Sequence, residues 1–106
     1  MPTLIDSATI NAAARRLHDA APEAVIILFG SHARGDYDPD SDLDFLVIEP
    51  NPPHYQEEAV RLRAALRPLR VPVDIFVTDT ETYEKWSDTP GTVYYEAKRE
   101  GRVCHV

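Results

Sequence analysis

Five residues carry the chemistry legible in this chain: Gly30, Ser31, Asp42, Asp44 and Asp74. Gly30 and Ser31 close the apolar run "VIILF", where a glycine lets the backbone turn sharply and lets a phosphate come close. The N–H groups of the turn that follows point outward and can hold an anion, and Ser31 adds a hydroxyl donor. Asp42 and Asp44 are set two apart in "DLDFLVI", which otherwise reads as a strand. Side chains at that spacing share one face, so Leu43, Phe45 and Val47 take the other. Two parallel carboxylates repel each other and cost desolvation when half-buried, and a divalent cation between them removes both costs. Two carboxylates together with substrate phosphates make the usual setting of Mg²⁺. Asp74 is a third lone acid, in the apolar run "VPVDIFV". It can complete a metal triad or take the proton of an attacking hydroxyl. A phosphate cradle beside a metal site suits phosphoryl or nucleotidyl transfer.

The elements that must position these residues follow from pattern and punctuation. Ser7 can cap a helix running to about Asp19, with Ile10, Ala13, Ala14 and Leu17 as its apolar stripe. Val25 to Phe29 reads as a strand buried on both faces. Ser31 to Arg34 makes a short helical turn, and Gly35 to Asp40 is loop by composition. Asp42 to Ile48 is the second strand, and Pro50 to Pro53 a turn. Tyr55 to Arg67 is a helix stopped by Pro68, and Val73 to Val77 the third strand. Thr80 to about Ser87 and Thr92 to Glu100 are short helices, Gly101 is a C-cap, and Arg102 to His105 an edge strand. The order predicts an α/β (α+β) fold: a small mixed β-sheet flanked by helices.

Composition narrows the class. The 106 residues suffice for one domain, residues 1–106, with one modest core. A net charge of −7 argues against broad nucleic-acid binding and against anionic membrane surfaces. The longest apolar run, Ala24 to Phe29, is too short to cross a bilayer. Met1-Pro2-Thr3 opens no signal pattern. The single cysteine, Cys104, reads as a small half-buried residue in a reducing cytoplasm.

The segment "GSHARGDYDPDSDLDFLV" has Gly30-Ser31, ten residues, then Asp42-Leu43-Asp44, which matches the GS-x10-D-x-D signature of the DNA polymerase β-like nucleotidyltransferase superfamily. Together with "VDIFV" and the tail "VYYEAKREGRV" it resembles the minimal nucleotidyltransferase (MNT) family. The resemblance runs from about Val25 to the C-terminus. It implies a nucleotidyltransferase fold in which Asp42 and Asp44 bind two Mg²⁺ ions, Asp74 is the third acid, and Gly30 and Ser31 hold the triphosphate of ATP. MNT proteins are commonly antitoxins that transfer AMP from ATP to a tyrosine of a HEPN-domain toxin. Here the toxin would be a separate chain, since no R-x4-6-H-x-x-x-Y pattern occurs, and a homo- or hetero-oligomer would form around it. Two other readings compete. One is a non-catalytic antitoxin that masks its toxin. The other is an aminoglycoside-type enzyme, which would need a dimer to build its pocket.

Other residues read more plainly. Arg34 can fork onto a phosphate or pair with Asp36 or Asp38 at the surface. His32 reads as a loop surface residue, and His18 and His54 have no partners at metal-ligand spacing. Asp36, Asp38 and Asp40 read as a solvated turn. Asp74 has structural alternatives in pairing with Arg70 or capping a turn. Val93, Tyr94 and Ala97 form a core stripe, Trp86 is core or interface, and either Tyr95 or Glu96 borders the nucleotide or a partner.

Overall fold

A computed structural model describes residues 5–38, 40–52 and 54–105. Helix α1 spans Ser7–Ala20. Its cap is Asp6 rather than Ser7, since the Asp6 carboxylate accepts from Thr9 N–H and Thr9 Oγ1, both at 2.8 Å. An ionised acceptor is the stronger cap at a positive helix end. Strand β1 is Val25–Phe29 and helix α2 the single turn Ser31–Arg34. Strand β2 covers Leu43–Glu49, so Asp42 stands one residue ahead of it. Helix α3 is Tyr55–Leu66, followed by a 3-10 turn at Arg67–Leu69 that contains Pro68. The proline therefore lies inside a tightened last turn instead of ending the helix outright. The expected turn at Pro50 to Pro53 is bent at Pro50 and Asn51, and Pro53 lies outside the described residues.

Strand β3, Val73–Asp79, is two residues longer than the apolar pattern suggested. Thr78 is buried and pairs with Ile48, and Asp79 then caps helix α4, Thr80–Trp86. Helix α5 is Val93–Glu100, capped by Thr92, and strand β4 is only Arg102–Val103. Gly101 does stand at the C-cap, with its N–H on Ala97 O, but in extended rather than left-handed conformation.

The sheet order is β3-β2-β1-β4. β1 lies antiparallel to β2 and β4, while β2 and β3 run parallel. This is the mixed sheet the element order predicts. One face carries Leu28, Leu43, Phe45 and Val47 against Leu17 of α1 and Leu62 and Leu66 of α3. The other packs Ile27, Phe29, Leu46 and Ile48 against Ala97 of α5, with Tyr83, Val93 and Tyr94 around it. The second layer is thin and stops short of the N-terminal end of β2. Asp44 belongs to that second face, just where the cover ends. Among the described residues no helix is long and apolar enough to cross a membrane.

Candidate active site

Sheet pairing brings the candidate residues together. Asp44 pairs with Phe29 on one side and Asp74 on the other, so the two carboxylates lie abreast on one face. Gly30 follows Phe29 directly. It has a φ of +77°, a region that side chains disfavour. A Cβ there would collide with the Asp44 carboxylate, whose Cγ would lie 3.2 Å away. The glycine is thus required twice, by the turn and by the acid against it. Ser31 and His32 follow as the first residues of α2, where their amides have no carbonyl within the helix to bond.

Asp44 is half-buried and its pKa is pushed up to about 6. Burial is the main cause, followed by the charges of Asp74, Asp42 and Glu96, while His32 acts weakly in the opposite sense. Asp42 is exposed and Asp74 half-buried. Among the described residues none of these three acids makes a salt bridge. The pairing of Asp74 with Arg70 is not made. Asp44 also sits in the second strand of four, away from the sheet edge, so it is no solvated edge acid.

A cleft of about 520 Å³ opens over this face, lined by Phe29, Asp44, Phe76, Thr92, Tyr95 and Glu96 among others. Both Tyr95 and Glu96 therefore border it. Glu96 is the acid that the sequence left undecided, and it faces Asp44 from across the cleft. Arg34 resolves toward pairing. Its guanidinium meets Asp36 at 3.2 Å, Glu96 at 3.2 Å and Glu100 at 3.1 Å. It thereby ties α2 to α5 beside the cleft, and these acids hold its charge firmly in place.

His32 departs from the surface reading. It is 6% exposed, stacks on Tyr37 with ring centroids 4.4 Å apart, and places Nε2 3.1 Å from Ser41 O. It ties Tyr37 and Ser41 to α2. Its signal in the sequence was weak, because only the tertiary path of that loop brings Tyr37 and Ser41 over it. Trp86 is 41% exposed with Lys85 above its ring, so it belongs to the surface.

Whether these residues suit a divalent cation is a question of donor chemistry. Among the described residues no three acid, histidine or cysteine side chains are gathered at metal-binding spacing. Yet Asp44 and Asp74 are neighbours, among the described residues no salt bridge reaches either, and burial followed by the Asp74 charge pushes the Asp44 pKa up. Hard oxygen donors carrying excess negative charge fit Mg²⁺ with bound phosphates.

Residues 10–103 match the family model for the nucleotidyltransferase domain. The chain belongs to that family. A curated protein of Methanocaldococcus jannaschii, named as a candidate protein adenylyltransferase, is 45% identical over 42 residues. That match covers 40% of this chain and 42% of the relative's length. Two solved structures share the fold. A candidate nucleotidyltransferase from Sulfolobus solfataricus superposes with a TM-score of 0.58 at 18% identity, over 91% of this chain and 76% of its own. A toxin–antitoxin structure with AMP-PNP superposes with a TM-score of 0.55 at 20% identity, over 90% and 72%. The fold and family expected from GS-x10-D-x-D are thus borne out, and the nucleotidyltransferase is an enzyme family.

Proposed function

We propose that this nucleotidyltransferase moves the AMP moiety of ATP onto a hydroxyl of a polypeptide partner, with Mg²⁺, and serves as the antitoxin of a toxin–antitoxin pair. The observation that carries it is Asp44, held against Gly30 on one strand and abreast of Asp74 on the next. The relative named for protein adenylylation and the toxin–antitoxin neighbour with AMP-PNP support the acceptor class and the nucleotide. A HEPN-type toxin and a tyrosine acceptor extend the same reading from the MNT resemblance.

Each residue has a task in this reading. The amides of Ser31 and His32 and the Ser31 hydroxyl receive the polyphosphate in the bend that Gly30 permits. Asp42, Asp44 and Asp74 would hold Mg²⁺, which would neutralise phosphate charge and orient the α-phosphorus. The acceptor oxygen forms a bond to the α-phosphorus as the bond to the bridging oxygen of pyrophosphate breaks. Asp74 takes the hydroxyl proton and passes it to solvent. Arg34 stays on α5 as a brace and is available to phosphate oxygens only by exchanging Glu96 or Glu100 for them.

The test is a mass measurement. The chain is incubated with ATP, Mg²⁺ and the product of the neighbouring gene. The partner should gain the mass of one or more AMP groups, with pyrophosphate released in equal number. An unmodified partner that is nonetheless neutralised would establish masking in place of transfer.

A further inference from the structure

Strand β3 is an edge of the sheet, and its edge is open. The ladder bond from Leu43 N–H to Pro72 O, at 3.0 Å, sets its phase. With Leu43 abreast of Val73 in a parallel pair, the even-numbered residues of β3 turn their backbone groups toward β2. Val73, Ile75 and Val77 therefore turn N–H and C=O outward. Among the described residues no loop, turn or cap bond reaches these outward groups. A seven-residue edge is long enough to template another strand.

This edge forms the floor of a groove. Residues from both faces of β3 line it: Ile75 and Val77 from one, Phe76 from the other. Tyr55 of α3 stands on one bank and Tyr94 of α5 on the opposite. Phe76 is 42% exposed, an unusual state for an aromatic ring on a strand. The groove is continuous with the cleft over Asp44, because Phe76 and Val93 line both. Its volume is about 220 Å³, below the roughly 300–1,000 Å³ typical of small-molecule pockets. Extended backbone fits such a space better than a compact metabolite. The edge itself carries Asp74 and Asp79 and no lysine or arginine, with Glu81 just beyond.

We propose that the acceptor is an extended polypeptide segment that pairs antiparallel with the outer edge of β3. Its hydroxyl-bearing residue lies abreast of Asp74, an apolar side chain two residues away rests on Phe76, and cationic residues flank them. Main-chain hydrogen bonds supply affinity in this mode and alternate side chains supply specificity. The strand that carries the third acid then also aligns the substrate. The inference rests on the reading of the chain as an enzyme that modifies polypeptides.

The experiment uses the full chain with ATP, Mg²⁺ and a synthetic peptide, Lys-Lys-Val-Leu-Val-Tyr-Val-Thr-Lys, at millimolar concentration. Two readouts are followed: addition of AMP to the peptide, and amide hydrogen exchange of the enzyme. Slowed exchange at Val73, Ile75 and Val77 on adding peptide is expected. Replacing the valines beside the peptide's tyrosine by proline should abolish both effects. In the enzyme, Val77→Pro removes an outward N–H and leaves the bonds to β2 in place. It should cut peptide modification at least about tenfold, the scale of a lost ladder bond and its neighbours, with ATP binding retained. Equal modification of the prolyl peptide, or unaltered exchange at the three amides, would overturn the inference. The exchange result decides even if Val77→Pro does not fold. Edge protection without transfer to any acceptor would sink the enzymatic reading and leave the docking surface standing.

Discussion

Strand β2 has a cluster of acids at each end, and the two are handled differently. At its start, Asp44 meets Asp42, Asp74 and Glu96, and no cationic side chain bridges to Asp44. At its last residue, Glu49 meets Glu58, and Arg61 forks onto Glu58 at 2.6 and 2.7 Å. Both clusters border a cleft, but only the second has the chain's own guanidinium bonded to one of its acids. Arg34, which borders the same region on α2, is engaged by Asp36, Glu96 and Glu100. Acids that a fold balances internally serve the fold. Acids left with a surplus of charge beside the Gly30 bend are the expected place for a ligand that arrives from outside.

The largest expected effect breaks the first cluster. Asp42→Asn with Asp44→Asn should reduce AMP transfer by more than about 100-fold, beyond the loss expected for a group that merely supports a metal ligand. Without added metal, Asp44→Asn should also melt higher than the parent chain, because it removes a half-buried charge among like charges. Transfer and thermal melting measured on the same preparations check both. A variant that loses transfer and stability together would mean that Asp44 is a structural acid after all.

Next comes the cradle. Gly30→Ala places a Cβ at a φ of +77° and against the Asp44 carboxylate. A cost of about 1–3 kcal/mol is expected from the strained backbone, together with loss of ATP binding as Asp44 is pushed aside. Gly35→Ala is the control. Its φ is also positive, at +87°, but no atom lies near the added methyl. It should lose stability on a similar scale and keep nucleotide affinity. Equal loss of affinity in both would show that the bend matters and the contact does not.

The contrast between the clusters also explains what was legible in the sequence. Gly30, Ser31, Asp42 and Asp44 lie within fifteen residues, and strand alternation places the two acids on one face without knowledge of the tertiary fold. Asp74 was legible as an acid in an apolar strand, and only the parallel register of β2 and β3 puts it abreast of Asp44. Glu96 was ambiguous because the helix face it occupies depends on how α5 docks, and Arg34 reaches it across 62 positions. His32 was misread for the same reason. The Glu49, Glu58 and Arg61 cluster carried no signal beyond an i,i+3 pair on α3. The half-buried Glu49 beside that pair belongs to another element. Periodicity reports faces; it does not report which faces meet.

In the second cluster, Arg61→Met should be the more costly change. It leaves the buried Glu58 without its partner beside Glu49, and the loss is expected to exceed the roughly 0–1 kcal/mol of a surface pair. Chemical denaturation at pH 7 measures it.

The smallest effect is the most diagnostic. Burial and the neighbouring Glu58 push the Glu49 pKa up to about 7. Its Oε2 is buried with no donor to meet it, and the two carboxyls can bond only when one carries a proton. Arg61 holds Glu58 ionised, so the proton belongs to Glu49. The folded chain then binds that proton more tightly than the unfolded chain, whose glutamate titrates near 4.5. Stability from this group is present at low pH and is lost as pH rises from the unfolded pKa through the folded one. Glu49→Gln keeps a donor toward Glu58 at every pH. It should match the parent chain near pH 5 and exceed it at pH 8 by about 1 kcal/mol once solvent screening is allowed for. A chain of this size would then melt a few degrees higher. A difference that is flat with pH would mean that Glu49 is ionised throughout. The two ends of β2 would then differ only in exposure, and internal pairing would not separate structural acids from functional ones.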